Sequence, residues 1–135
     1  MPGFVNVQNV LSGMTTNATF NPKGSKMTDD RFMAEKWVPM IYIDPFYEIS
    51  NYGRVRSWKH KNGKRKKPFI MKPSEAKKGR YQIHLWIHGT RIARSISRMV
   101  LTYFIGPPPT PKHEAAHNDG DPSNNYLSNL RWATP

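Results

Sequence analysis

Residues 80–104 read RYQIHLWIHGTRIARSISRMVLTYF, and the change of period inside this stretch sets the fold class. From Arg80 to Ile87 apolar and polar residues alternate. Tyr81, Ile83, Leu85 and Ile87 fall on one face and Gln82, His84, Trp86 and His88 on the other, as on a half-buried strand. His88-Gly89 is placed to turn the chain into a second strand, Arg91 to Ile96. Beyond it Ile96, Met99, Val100, Tyr103 and Phe104 recur at helical spacing, with Ser95 or Ser97 as cap and Gly106-Pro107-Pro108-Pro109 as stop. A hairpin followed by about three turns of helix is expected, an α+β arrangement.

Upstream, the same β texture continues. Trp37 to Tyr47 is aromatic and β-branched, and Asp44-Pro45 supplies a turn before the extended run Tyr47-Glu48-Ile49-Ser50. Asn51-Tyr52-Gly53 then turns the chain into Arg54-Val55-Arg56-Ser57-Trp58, where apolar and basic residues alternate, and Asn62-Gly63 is a hairpin signal flanked by lysines. Residues 1–34 have glycines, prolines, Thr and Asn without an apolar period, the composition of a flexible tail, and Met27 or Met33 serves equally well as a start. Downstream, Lys112 to Pro135 is a short apolar piece, a turn rich in Asp and Asn, and an amphipathic run through Leu127, Leu130 and Trp132. Three segments result: a tail over 1–34, a β-rich part with a basic hairpin over 35–75, and the hairpin, helix and terminal part over 76–135.

With 135 residues, one compact unit is expected. Lys and Arg total 21 against 9 acids, a formal charge of +12, so a polyanionic partner is the first inference. Between Arg54 and Arg98 lie 15 of the 21 basic residues and a single acid, Glu75. The charge therefore belongs to the β-rich middle, as on a surface laid along phosphates, with Arg54, Arg56, Lys59, Lys64, Arg65, Lys66, Lys67 and Arg80 as candidate nucleic-acid contacts. A solvated hairpin tip or a localisation signal accounts for the Lys64 to Lys67 cluster more simply. Trp58, Trp86 and Tyr81 interleave with the basic residues and have the chemistry to stack on unpaired bases, although aromatic residues on strands more often belong to the core. Zero cysteines exclude disulfides, thiolate zinc sites and cysteine nucleophiles, so any metal is held by His, Asp, Asn or water. No apolar run approaches the roughly 20 residues of a membrane span and no secretory pattern opens the chain, so a soluble, unexported, cytoplasmic protein is expected.

The chemistry concentrates in the last 25 residues. His113-Glu114-Ala115-Ala116-His117 has the two-histidine spacing of zinc proteases, which works only within a helix. Here prolines precede it and Asn118-Asp119-Gly120-Asp121-Pro122 follows, so the stretch reads as a strand. Asp119, Asp121 and Ser123 hint at a calcium loop, but Asn124 stands where its glycine belongs and Leu130 where its glutamate belongs, and an Asx-stabilised turn explains the same residues. What remains is His117 at a strand end beside an Asx-rich loop, with Asn129 twelve residues on. An accessible imidazole beside a phosphate-binding surface can take a proton from water attacking phosphorus, and a nearby amide can orient it, whereas a lone histidine is usually structural.

Two blocks within residues 37–134 resemble the HNH endonucleases of phages and mobile introns. Trp37-Val38-Pro39-Met40 through Tyr47-Glu48-Ile49-Ser50-Asn51-Tyr52-Gly53-Arg54-Val55-Arg56-Ser57 looks like the nuclease-associated modular motif that precedes many HNH domains. His117-Asn118-Asp119-Gly120-Asp121-Pro122-Ser123-Asn124-Asn125 through Asn129-Leu130-Arg131-Trp132-Ala133-Thr134 looks like the first two-thirds of the HNH core. The resemblance implies a ββα-metal unit, with His117 as general base, Asn129 as the asparagine that orients it, and one magnesium or manganese ion. It also implies double-stranded DNA as substrate, nicked or cut in a bacterial cytoplasm by a phage-encoded enzyme. Departures from the pattern are Ala116 where relatives often have a metal-binding Asp or Asn, and Ser97-Arg98-Met99-Val100 where His-Arg-Leu-Val is common. The helix that supplies a further ligand should begin where the chain stops at Pro135, which suggests a gene that continues. Asp119 is the candidate substitute ligand. The alternative is a catalytically silent nuclease relative that binds DNA, RNA or a nucleic-acid-handling partner; a purely RNA-associated basic protein leaves the Asp-Gly and Asn-Leu-Arg-Trp blocks unexplained.

Overall fold

The computed structural model describes residues 34–135; the tail assigned to 1–34 lies, apart from Ala34, outside the described residues. Strands β1 (Trp37–Met40), β2 (Asp44–Ser50), β3 (Val55–His60) and β4 (Gly63–Ile70) form an antiparallel meander in sequence order. The turns sit where glycine permits them. Gly53 (φ +81°) follows Asn51-Tyr52, and Gly63 (φ +125°) opens β4 after the two-residue loop Lys61-Asn62. A second antiparallel sheet contains β5 (Ser74–Glu75), β6 (Tyr81–Ile87) and β7 (Thr90–Ser95). As the alternation requires, Ile83 and Leu85 are buried on the inner face of β6 while Trp86 points to solvent.

Helix α1 (Ile96–Phe104) begins one residue after β7, and Ser95 is its cap, accepting from the Arg98 backbone N–H. Its nine residues fall short of the expected three turns, and Ile96, assigned by the sequence both to the strand's end and to the helix's apolar stripe, opens the helix. The helix is buried almost all round, with Arg98 exposed and Thr102 half-buried, so it is the central core element rather than a surface helix. Leu101 O receives both the Ile105 and Gly106 N–H groups, and Gly106 at φ +134° leads into the prolines.

The terminal segment is a hairpin of β8 (Glu114–His117) and β9 (Leu130–Ala133), paired His117 to Leu130 and Ala115 to Trp132. The amphipathic run through Leu127, Leu130 and Trp132 is thus a 3₁₀ turn (Leu127–Asn129) followed by a strand. Arg98 fastens this hairpin to α1, donating to His113 O (3.2 Å) with its guanidinium 5.0 Å over the Trp132 ring, while Trp132 Nε1 donates to Gly106 O (3.0 Å). One apolar cluster unites everything: Val38, Met40, Tyr47, Ile49 and Val55 from the first sheet, Ile83 and Leu85 from the second, the inner residues of α1, and Leu127 and Leu130. Among the described residues no helix is long and apolar enough to cross a membrane.

Candidate functional site

His117 ends β8 half-buried, at the mouth of the twelve-residue connection to β9. Its Nε2 lies 2.9 Å from Asn125 Oδ1. A side-chain amide oxygen only accepts, so Nε2 carries a proton, and in the neutral imidazole Nδ1 is the basic nitrogen. The tautomer that leaves a ring nitrogen available as a base is therefore set by Asn125, a buried residue that the sequence did not mark as functional. Asn129, expected to orient the imidazole, serves the loop instead. Its Nδ2 donates to Asp119 Oδ1 (2.9 Å) and Asn124 O (2.9 Å), and its Oδ1 accepts from Asp119 N (3.1 Å).

The first sheet supports this loop from behind. Leu127 N donates to Asn51 O (2.8 Å), the Tyr52 and Tyr126 rings lie 4.7 Å apart, and a Cβ on Gly53 would come within 2.7 Å of Asn125 Cβ and of its carbonyl oxygen. The Asn51-Tyr52-Gly53 turn is thus an abutment for the residue that holds His117.

A divalent ion finds few donors here. Asp119 Oδ1 accepts from Asp121 N (2.8 Å) as well as from Asn129, and its Oδ2 accepts from Asn124 Nδ2 (2.8 Å). The Asn124 bond, then the Asp121 and Asn129 bonds, hold its carboxyl below the ordinary carboxylate range. Asp121 is likewise bound to Ser123 through both N (3.0 Å) and Oγ (2.7 Å). These are the Asx bonds of a tight turn. Asn118 is engaged by Arg131, and Ala116 has no donor atom. Among the described residues no three His, Asp or Glu side chains converge as a metal site. The zinc-protease spacing lies on β8, preceded by His113 outside the strand, so its two imidazoles do not share a helix face.

The basic candidates divide into three groups: those paired with carboxylates, those along β4, and Arg80. Arg54 is bidentate to Glu35 (2.8 and 2.6 Å), and this bond is the main reason the Glu35 carboxyl titrates below its usual value. Arg56 binds Glu48 (2.6 Å) and stacks 4.1 Å over Trp37; Glu48 also accepts from Trp58 Nε1 (2.7 Å). Both arginines are tied to carboxylates, so a phosphate must compete for them. Lys59 joins Asp44 (2.8 Å) and the Trp86 carbonyl (2.6 Å). Lys64, Lys66 and Lys67 stand exposed along β4, with Lys64 4.9 Å over Trp58, and Arg65 lies between them 5.5 Å from the Phe69 ring. Arg80 is separate, on a cleft of about 380 Å³ with Lys77, Arg98 and Glu114.

Sequence profiles match this chain twice: the NUMOD4 motif over residues 35–86 and an HNH endonuclease motif over residues 94–135. An uncharacterized HNH endonuclease, L245 of Acanthamoeba polyphaga mimivirus, is 36% identical over 100 residues, covering 74% of this chain and 27% of the viral protein. Among solved structures, the HNH homing endonuclease I-HmuI, described for its DNA binding and cleavage, superimposes with a TM-score of 0.59 at 30% identity. The match covers 73% of this chain and 52% of that one. This chain therefore spans about a quarter of the viral relative and half of the homing endonuclease.

Proposed function

The chain belongs to the HNH endonuclease family in the arrangement where a NUMOD4 motif comes first, and from that membership we propose that it binds double-stranded DNA and hydrolyses a phosphodiester bond in it. The observation that carries this reading is the His117–Asn125 pair. Asn125 fixes the proton on Nε2, and Nδ1 is left to accept the proton of a water attacking phosphorus. Asn129 and Asp119 act one step back, holding the loop in which Asn125 sits. In this reading the two motifs, matched over 35–86 and 94–135, share one core, a basic sheet that grips DNA and a hairpin of ββα-metal type that cuts it. Lys64, Lys66 and Lys67 are the primary phosphate contacts, with Arg65 beside them, Arg80 on a separate cleft, and Arg54, Arg56 and Lys59 available only by exchange of their carboxylates.

The reading expects activity to require magnesium or manganese, as the family resemblance implies. The described donors do not make such a site on their own, Asp119 being turned into its loop. That observation favours a second reading, a nuclease relative that occupies DNA without cutting it. Supercoiled plasmid incubated with the chain and magnesium or manganese, against an EDTA control, separates the two. Metal-dependent nicking supports the endonuclease, and tight binding without nicking supports the silent binder.

A further inference from the structure

We propose that the cleft between the first sheet and β6 receives a single unpaired nucleobase, stacked against Trp86 with its phosphate on the basic rim; this rests on the nucleic-acid reading and extends it. The cleft encloses about 500 Å³, ample for one nucleotide, and its lining includes Tyr47, Lys59, His60, Arg65, Phe69 and Trp86. No acidic residue lines it, and of its cations Lys59 is paired with Asp44 just outside (2.8 Å), which leaves Lys61 and Arg65 as the rim charges for a phosphate. Trp86 and Phe69 are 55% and 53% exposed, the most exposed of the large hydrophobic side chains among the described residues, which also leave Tyr42 and Phe46 open to water.

The Trp86 backbone is held while its ring is not covered. Tyr47, only 2% exposed, takes the Trp86 N–H on its hydroxyl (2.9 Å), and Lys59 Nζ donates to the Trp86 carbonyl (2.6 Å). An indole on a fixed backbone is a preorganised stacking platform, since little further order is needed when a base arrives. The other two aromatics suggested by the sequence lack this property: Trp58 is bonded to Glu48 and lies under Arg56 and Lys64, and Tyr81 packs against the core. The chemistry of the cleft, an aromatic wall with a cationic rim, suits a flat heterocycle that carries a phosphate. A base inside an intact duplex has both faces stacked on its neighbours, so the occupant is a base already out of the helix, as at a bulge or a frayed end.

The test uses the full chain in EDTA, so that cleavage plays no part. A DNA hairpin with 2-aminopurine in a single-nucleotide bulge is titrated beside the same hairpin with that base paired, following fluorescence and affinity. The bulged hairpin is expected to bind roughly five- to a hundredfold tighter, with its emission quenched. Trp86→Ala should abolish the preference and leave affinity for the paired hairpin unchanged, while Trp86→Phe retains most of it. Equal affinities in the wild-type chain, or a preference that survives Trp86→Ala in a variant with unchanged melting, overturn the cleft proposal and spare DNA binding. A wild-type chain that binds neither hairpin overturns the nucleic-acid reading and the proposal together.

Discussion

His117 and the two asparagines near it show how similar amides take different work. Asn125 touches the imidazole, whereas Asn129 is buried under the loop with three hydrogen bonds to it. Replacing Asn129 by Ala removes three hydrogen bonds that a buried side chain makes to the exposed Asp119 and the half-buried Asn124, loosening the loop, and should lower the urea midpoint. Asn125→Ala should instead spare most of the stability and slow single-turnover nicking by about tenfold or more, less than the roughly 10²–10⁴-fold expected for loss of a general base. Asp119 adds a pH signature. Its folded-state pKa lies below the ordinary 3.8, so its contribution is complete above that value and lost as pH falls through the lower folded value. Amide signals of the Asp119 to Asn129 loop should shift in that acid window in the wild-type chain, and Asp119→Asn should remove the part sensed around Asn124 and Asn129 while leaving that around Ser123, which tracks Asp121, a carboxyl likewise lowered by its Ser123 bonds. At this scale the sequence placed His117 at a strand end, where the structure has it, and did not reveal its contact with Asn125. Asn125 is one of two adjacent asparagines, and which one faces the ring depends on how the loop closes. Arg54 and Arg56 were likewise legible as basic but not as paired, because Glu35 and Glu48 reach them only once the sheet has formed.

Gly53 belongs to the scale of elements, since it lets the turn between β2 and β3 sit directly behind the loop between β8 and β9. Gly53→Ala meets two penalties, the left-handed backbone at about 1–2 kcal/mol and the 2.7 Å approach to Asn125. Gly120 has a similar φ of +76° with open space around it, so Gly120→Ala carries the first penalty alone. The Gly53 variant should therefore melt lower than the Gly120 variant and shift the Asn125 resonances; equal losses would show that the turn does not bear on the loop. The hairpin of β6 and β7 and helix α1 were readable because their apolar periods differ. The last strand was not, because Leu127, Leu130 and Trp132 fit a helical stripe as well as a turn and a strand. Pairing with β8 and the Trp132 bond to Gly106 decide the matter, and both are contacts distant in sequence.

Among the described residues, exposed positive charge lies along β4 while a single core carries both motifs. DNA affinity should fall steeply with salt, and Lys66→Ala and Lys67→Ala should each reduce the slope of log affinity against log salt by about 1. Arg56→Ala should act chiefly on stability, since it strips Glu48 of a partner within the sheet. Slopes unchanged in the lysine variants would remove β4 from the DNA interface. The central claim is that His117, presented by Asn125, is the base that cuts DNA, and it is tested most directly by the nicking rate of supercoiled plasmid with magnesium or manganese in the wild-type and His117→Ala chains. Nicking by the wild-type chain that EDTA abolishes and His117→Ala lowers by at least about a hundredfold is the predicted result. Equal rates in the two chains, or no nicking by a wild-type chain that still binds the plasmid, would contradict it.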